Sequence, residues 1–119
     1  MKVRRGDIVL INHPFSDASG SKVRPALVVQ NDRRNSTLLE TIVVIISKNV
    51  RHVATDSTQF LIDIGTADGM ASGLNVNSAV KCGKLFTIDE SLVFGKIGVL
   101  LPALLSRVDD CLKSALELK

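Results

Sequence analysis

Apolar and polar positions along the first hundred residues predict a chain built mainly of short β-strands. Residues Asp7–Asn12 alternate around an apolar centre, and Thr41–Ile46 is a β-branched run that reads as buried on both faces. Glycine, Asp, Asn and Ser residues between positions 63 and 77 predict turns and irregular structure. Four further strands are predicted, at Pro25–Gln30, Thr58–Ile62, Ser78–Ile88 with a bend at Gly83, and Lys96–Leu100.

The hydrophobic period changes near the C-terminus from that of a strand to that of a helix. Pro102 stands where the first turn of a helix tolerates proline. An amphipathic helix of about four turns is therefore expected to pack on the sheet. Its apolar face would comprise Leu101, Leu104, Leu105, Val108, Leu112, Ala115 and Leu116. Five or six short strands and one helix predict a mainly β fold, a small and strongly bent β-barrel.

Bulk composition places the chain among single-domain globular proteins. With 119 residues, 45% of them hydrophobic and 23% charged, it is expected to form one domain over residues 1–119 and not to be disordered. Its apolar runs are too short to span a bilayer, and no signal-peptide pattern precedes the first strand, so a cytoplasmic protein is expected. Cys82 and Cys111 lie in apolar contexts and are interpreted as buried free thiols.

The positive charge is concentrated in the first half of the chain. Residues 1–52 hold nine Lys and Arg against four acids, a net of +5. Residues 53–119 hold six against eight, a net of −2, which gives the total of +3. A basic half is what a polyanion-binding face would look like, although a solvated cationic surface explains the count equally well.

One arginine stands between a polar loop and a predicted strand. Pro25 fixes its own φ and pushes Arg24 toward an extended backbone, and residues 16–21 form the loop before it. A guanidinium can bridge two phosphate oxygens and keeps its proton at working pH, so the arrangement suits a phosphodiester. The alternative is a structural arginine paired with Asp7 or Asp32.

Aromatic and acidic residues narrow the possible chemistry. The chain has four Phe and no Trp or Tyr, which argues against a function that needs several stacking rings. Phe15 is expected near the polar loop, and Phe60, Phe86 and Phe94 are expected in the core. The carboxylates at positions 63 and 68 lack a third ligand with suitable spacing. No metal and no cofactor is therefore expected.

Five blocks follow one another along the chain: Arg5–Val9, Gly20–Asp32, Gly73–Val80, Thr87–Asp89 and Lys96–Gly98. Together they resemble the MazF/PemK-like toxin family, which also ends in a helix. The similarity covers nearly the whole chain, and the order and spacing of the blocks make it fairly specific. It implies a small SH3-like β-barrel, a homodimer, and a metal-independent endoribonuclease that cleaves single-stranded RNA. It also implies an antitoxin partner, whose acidic disordered tail would fold onto the dimer.

The resemblance also implies which residues act. An arginine at the position of Arg24 and a hydroxyl residue that ends the third strand carry the family's chemistry; the latter would be Ser47, where threonine is usual. RNA supplies its own 2′-hydroxyl nucleophile, so both side chains would stabilise charge on the phosphoryl oxygens, and the products would be a cyclic phosphate and a 5′-hydroxyl. His13 is the candidate general base, or it merely precedes Pro14 in a turn.

The remaining expected RNA contacts come from the polar loop and from the basic segment after the third strand. They are Phe15, Ser19, Gly20, Ser21, Lys22, Lys48 and Arg51. Two other functions stay open. One is a non-catalytic binding module, since the same barrel family includes toxins that poison DNA gyrase. The other is a degenerate homologue that only binds an antitoxin or nucleic acid, suggested by Ser47 and by a loop that departs from the family's Gly-Ser-Glu-Gln-like stretch.

Overall fold

The fold is an antiparallel sheet with a C-terminal helix packed against it. The computed structural model describes residues 2–14 and 21–119. In that part of the chain a six-stranded sheet runs in the order β4-β5-β3-β2-β1-β6. The strands are β1 (Asp7–Pro14), β2 (Ser21–Val28), β3 (Glu40–Ser47), β4 (Gln59–Ile62), β5 (Ser78–Asp89) and β6 (Val93–Val99). The helices are α1 (Asp32–Thr37), α2 (Ala67–Met70) and α3 (Pro102–Leu116), with a 3₁₀ turn at Glu90–Leu92. The prediction of a mainly β fold with a terminal helix is confirmed.

Irregular pairing bends the sheet. The register between β3 and β5 shifts between Val44, opposite Leu85, and Ile45, opposite Lys81. Three residues of β5 are passed over there, so the strand bends around Gly83, as predicted. Further shifts follow Ile8 and Leu10 in the pairing of β1 with β6. Such shifts increase local twist and let a small sheet curl around its core.

The curled sheet is open along its edges in the described part of the chain, with β4 and β6 at the two ends of the strand order. The edge of β6 is nevertheless covered. The Val99 N–H donates a hydrogen bond of 3.0 Å to the Ala71 carbonyl oxygen, which belongs to the segment after α2. This contact brings the chain beyond β4 back against β6. The architecture is thus broadly compatible with the predicted SH3-like barrel without being a closed ring of strands.

Alternate residues of the central strands supply two apolar clusters on opposite faces. Ile8, Leu27 and Val44 belong to the cluster that also contains Val108 and Cys111 of α3. The other cluster contains their sequence neighbours, Val9, Ala26, Val28 and Val43, among others. Period-2 alternation on β1, β2 and β3 therefore buries both faces of the central sheet.

The two cysteines lie in the cluster beneath α3. Both are buried free thiols, as predicted. Burial raises the pKa of the Cys82 thiol to about 12. The Cys111 thiol lies beside it, and burial raises its pKa as well.

Some predicted positions are corrected by the structure. The second strand starts at Ser21, so Arg24 lies inside β2 and not before it. Phe94 was expected in the core but is 64% exposed on β6, whereas Phe60 is buried and Phe86 is half-buried against the second cluster. Helices α1 and α2 were not predicted, because six and four residues are too few to establish a hydrophobic period.

Helix α1 is held by a buried polar network at one end of the sheet. Asn31 caps it by accepting from the Arg34 N–H at 2.9 Å. The Asn35 amide oxygen accepts from Gln30 Nε2 at 2.9 Å and from Thr41 Oγ1 at 2.7 Å. Its Nδ2 donates to the Gln30 carbonyl oxygen at 2.9 Å. We call these three side chains, Gln30, Asn35 and Thr41, the Asn35 network.

Candidate active site

Arg24 of β2 and Ser47, the last residue of β3, lie towards the same end of two neighbouring strands. Val28 pairs with Val43, Leu27 with Val44, and Ala26 with Ile45. The pairing ends there, two residues short of Arg24 on β2 and of Ser47 on β3. The two residues that the sequence singled out thus come from neighbouring strands at the same level of the sheet.

A cleft of about 450 Å³ opens at this level, and we refer to it as the Arg24 cleft. Residues from β2 and from the end of β3 line it. Three other elements complete the wall: Leu10 of β1, Ile97 of β6 and the segment that leads into β5. The full lining is Leu10, Val23, Arg24, Pro25, Ile46, Ser47, Lys48, Asn49, Gly73, Leu74, Asn75, Val76, Ser78 and Ile97.

Arg24 is positioned by β1 and by the proline that follows it. Its backbone pairs with Ile11, and Pro25 pairs with Leu10. Pro25 has no N–H to donate and lies outside the recorded β2–β3 pairs, where a strand tolerates proline. The Arg24 side chain is half-buried in the wall of the cleft. A guanidinium in this position can present its donors to an anion in the cleft.

The alternative structural partners of Arg24 are engaged elsewhere. The Asp7 carboxylate lies 3.1 Å from Lys96 Nζ and accepts from the Arg4 N–H at 2.9 Å. Asp32 accepts from the Arg5 N–H at 2.7 Å. That hydrogen bond is the main cause of the lowered pKa of Asp32. Both carboxylates thus act at the opposite end of the sheet from the cleft.

Ser47 ends β3 at the entrance to a turn. Its Oγ accepts a hydrogen bond of 3.1 Å from the Asn49 N–H, and Asn49 Oδ1 accepts one of 3.2 Å from the Arg51 N–H. Such side-chain to backbone bonds fix the turn. The bond that Ser47 accepts uses an oxygen lone pair, so the hydroxyl keeps its own proton for donation. Ser47 can therefore donate to an oxygen atom held in the cleft.

The third wall of the cleft is the segment from Gly73 to Ser78, which sequence reasoning did not assign to the site. Gly73 has a φ of 74°, and a Cβ on it would overlap the Ile97 carbonyl oxygen. The backbone therefore approaches β6 as closely as only glycine allows. Ser78 Oγ donates to the Val76 carbonyl oxygen at 3.0 Å. The sequence clue was present, because this segment is one of the blocks that carry the family resemblance.

The lining is cationic. Arg24 and Lys48 are its charged residues, and no carboxylate is found among the lining residues that the structure describes. The polar uncharged groups are Ser47, Ser78 and the amides of Asn49 and Asn75. Positive charge with neutral hydrogen-bonding groups suits a phosphodiester.

The other predicted site residues fall into three groups. Phe15, Ser19 and Gly20 lie outside the described residues. His13, Ser21 and Lys22 are described by their backbone in the β1–β2 pairing, where His13 pairs with Lys22 two positions beyond the Ile11–Arg24 pair. Arg51 is exposed on the turn after β3 and does not line the cleft, whereas Lys48 does.

Neither a metal-binding cluster nor a membrane-spanning helix is found in residues 2–14 and 21–119. No group of three or more His, Cys, Asp or Glu side chains there is arranged to hold a metal ion. No helix in that part of the chain has the length and apolar character needed to cross a membrane.

The family is shown by sequence. Residues 4–116 match the model of the PemK-like, MazF-like toxins of type II toxin–antitoxin systems. The match spans nearly the whole chain, so the protein belongs to this family, and the resemblance noted above is confirmed. No curated protein matches the chain.

Solved structures agree on the fold. An endoribonuclease in complex with its cognate antitoxin, from a Mycobacterial species, has a TM-score of 0.79 and 20% identity over 98% of this chain and 97% of its own. The Mycobacterium tuberculosis toxin MazF-mt6 has a TM-score of 0.76 and 23% identity over 95% and 98%. A MazE-MazF structure from Deinococcus radiodurans gives 0.73 and 18% over 100% of both chains. These likenesses establish the architecture.

Proposed function

We propose that this toxin is a metal-independent endoribonuclease that cleaves single-stranded RNA such as mRNA. The observation that carries the proposal is that Arg24 and Ser47 line the same cleft, which has two cations and no described carboxylate in its lining. The endoribonuclease activity of structural relatives with the same fold supports it. RNA contains its own nucleophile, so a site that binds and stabilises charge can catalyse the reaction without a metal.

In the proposed reaction the 2′-oxygen attacks the adjacent phosphorus and the bond from phosphorus to the 5′-oxygen breaks. The attacking hydroxyl loses a proton and the leaving oxygen gains one, so the products are a 2′,3′-cyclic phosphate and a 5′-hydroxyl. Arg24 donates two hydrogen bonds to the phosphoryl oxygens as their charge grows, and Ser47 donates a third. His13, whose backbone lies at the same end of the β1–β2 pair, is the proposed general base.

The proposal extends to partners and location. We propose a homodimer that binds an acidic antitoxin in the cytoplasm. Relatives of the same fold are found in complex with a cognate antitoxin or with MazE. The cationic lining of the Arg24 cleft fits an acidic segment, because the same groups that bind phosphates bind carboxylates.

Purified protein incubated with a long single-stranded RNA in excess EDTA tests the activity. The expected result is discrete fragments with 5′-hydroxyl and cyclic phosphate ends. Ser47→Ala should slow cleavage by about 10²-fold, because one donor to the phosphoryl oxygen is lost, while Ser47→Thr should stay active because it keeps the hydroxyl. No cleavage of several RNAs, with tight binding of an acidic antitoxin peptide retained, would contradict the activity and favour a binding module.

A further inference from the structure

We infer that Asn75 and the apolar lining of the Arg24 cleft form a nucleobase subsite that reads the base beside the cut bond. The inference rests on the proposed function, since it assigns a substrate contact to the same cleft. Stabilising a phosphate employs Arg24, Ser47 and Lys48, whereas much of the remaining wall is aliphatic.

Two aliphatic side chains of that wall face solvent across the cleft. Val23, in β2, is 55% exposed, and Val76, in the segment before β5, is 44% exposed. Leu10, Leu74 and Ile97 lie deeper and are half-buried. A cleft of about 450 Å³ with an apolar floor and a few polar groups is typical of a small-ligand site. An unstacked base has two flat apolar faces that such a floor can cover.

The amide of Asn75 is the polar group available to such a base. Asn75 is exposed in the lining, and among residues 2–14 and 21–119 no hydrogen bond to its side chain is found. Asn77, two residues later, is used differently, because its Oδ1 accepts from the Ile64 N–H at 2.9 Å. The same segment thus holds one asparagine that supports the fold and one that faces the cleft.

The backbone that carries Asn75 is fixed before any ligand binds. The Leu74 N–H donates to Ser72 Oγ at 3.2 Å, and Gly73 is seated against Ile97. The Ala71 carbonyl oxygen is bound to β6, and Asn77 ties the other side of the segment. A recognition group on a fixed backbone loses little freedom on binding, which favours specificity.

A primary amide can recognise a base edge through two hydrogen bonds. It offers one donor beside one acceptor, so it pairs with a base edge that shows a donor and an acceptor side by side. Each of the four bases has such an edge, and the amide chemistry alone therefore does not fix which base is preferred. The expected result is a preference for one base at one position next to the cut bond, and that preference should depend on the Asn75 amide.

The test is cleavage of a random single-stranded RNA pool in EDTA, with the cut sites read by sequencing the 5′-hydroxyl ends. Wild-type protein should favour one base at one position, and Asn75→Ala should reduce that preference by roughly 5- to 150-fold. Asn75→Gln should restore part of it, because the amide is kept. Asn31→Ala is the matched control: it removes the cap of α1 at the other end of the sheet, so it should lower the unfolding temperature and leave the preference unchanged.

The outcomes separate the subsite from the activity. If wild-type protein cuts no RNA, the proposed function is wrong. If wild-type protein cuts and Asn75→Ala has the same cut-site preference, the subsite is wrong and the activity stands. The same holds if Asn75→Ala weakens only the binding of an antitoxin peptide, which would assign the apolar lining to the partner protein.

Discussion

The two ends of the β2–β3 pair use polar residues in opposite ways. At the α1 end, the Asn35 network is buried and its members bond to one another. At the other end, Arg24 and Ser47 line an open cleft. Hydrogen bonds between side chains at the α1 end hold the fold together, whereas the polar side chains at the other end line an open cleft. The difference shows why residue type alone does not identify a site.

The two ends differ in burial, and burial determines how much free energy is lost when a polar group loses its partner. A buried amide that loses its partners costs about 1–3 kcal/mol, whereas a donor at the surface is satisfied by water until a ligand replaces it. Asn35 and Thr41 are buried, while Lys48, Asn49 and Asn75 are exposed. Substitutions at the α1 end should change stability, and substitutions at the cleft end should change activity.

The largest stability effect is expected from Asn35→Ala. It removes the acceptor of Gln30 and Thr41 and the donor to the Gln30 carbonyl, so buried groups lose their partners. The free energy of unfolding in urea should fall by about 2–4 kcal/mol. The neighbouring Ser36→Ala is the control and should change it by less than about 0.5 kcal/mol, because Ser36 is exposed. Equal losses of unfolding free energy in the two variants would show that the buried Asn35 network stabilises the α1 end no more than an exposed serine does.

A smaller effect is expected where the cleft wall meets β6. A Cβ on Gly98 would overlap the backbone of Ser72, whereas one on Gly95, in the same strand, meets nothing within 4 Å. Gly98→Ala should lower the free energy of unfolding by more than about 1 kcal/mol, and Gly95→Ala should change it by less. The pair of thermal melts checks this. Similar melting temperatures for the two variants would mean that the wall is not seated on β6 as described.

The smallest effect is a dependence on pH at the α1 end. Hydrogen bonding from the Arg5 N–H lowers the pKa of Asp32 below 3.8, so the folded state favours the carboxylate. This stabilisation is present above pH 3.8 and is lost as the pH falls through the lowered pKa. Melting temperatures between pH 5 and pH 2.5 should therefore fall less steeply in Asp32→Asn. An unchanged slope in that variant would argue against the contribution.

Much of the fold could be predicted because it depends on periodicity. The alternation of Asp7–Asn12 and the β-branched run Thr41–Ile46 fall within β1 and β3, and the helical spacing after Leu101 became α3. Ser47 could be matched to Arg24 by resemblance, and in the structure both residues line the same cleft. Local pattern and family blocks were sufficient for these features.

The remainder depends on contacts distant in sequence. Nothing local marks Phe94 as exposed, because its side chain points away from the cluster that Val93 joins. The roles of Asn75 and Asn77 also could not be separated, since the distinction lies in a bond to Ile64. Helix α1 is held to the N-terminal segment by Lys2 Nζ, which donates to the Asn35 carbonyl oxygen at 2.9 Å and to the Leu38 carbonyl oxygen at 2.8 Å. Such contacts appear only when the chain is folded.

The central claim is that the cleft end performs chemistry that the α1 end does not. The most direct measurement is the rate of RNA cleavage in EDTA by Arg24→Ala and by Arg33→Ala, with circular dichroism to verify folding. Arg33 is an exposed arginine of α1 and serves as the matched control. Arg24→Ala should lose at least about 10²-fold in rate and stay folded, and Arg33→Ala should cleave within a few-fold of wild type. Near wild-type cleavage by folded Arg24→Ala would contradict the account.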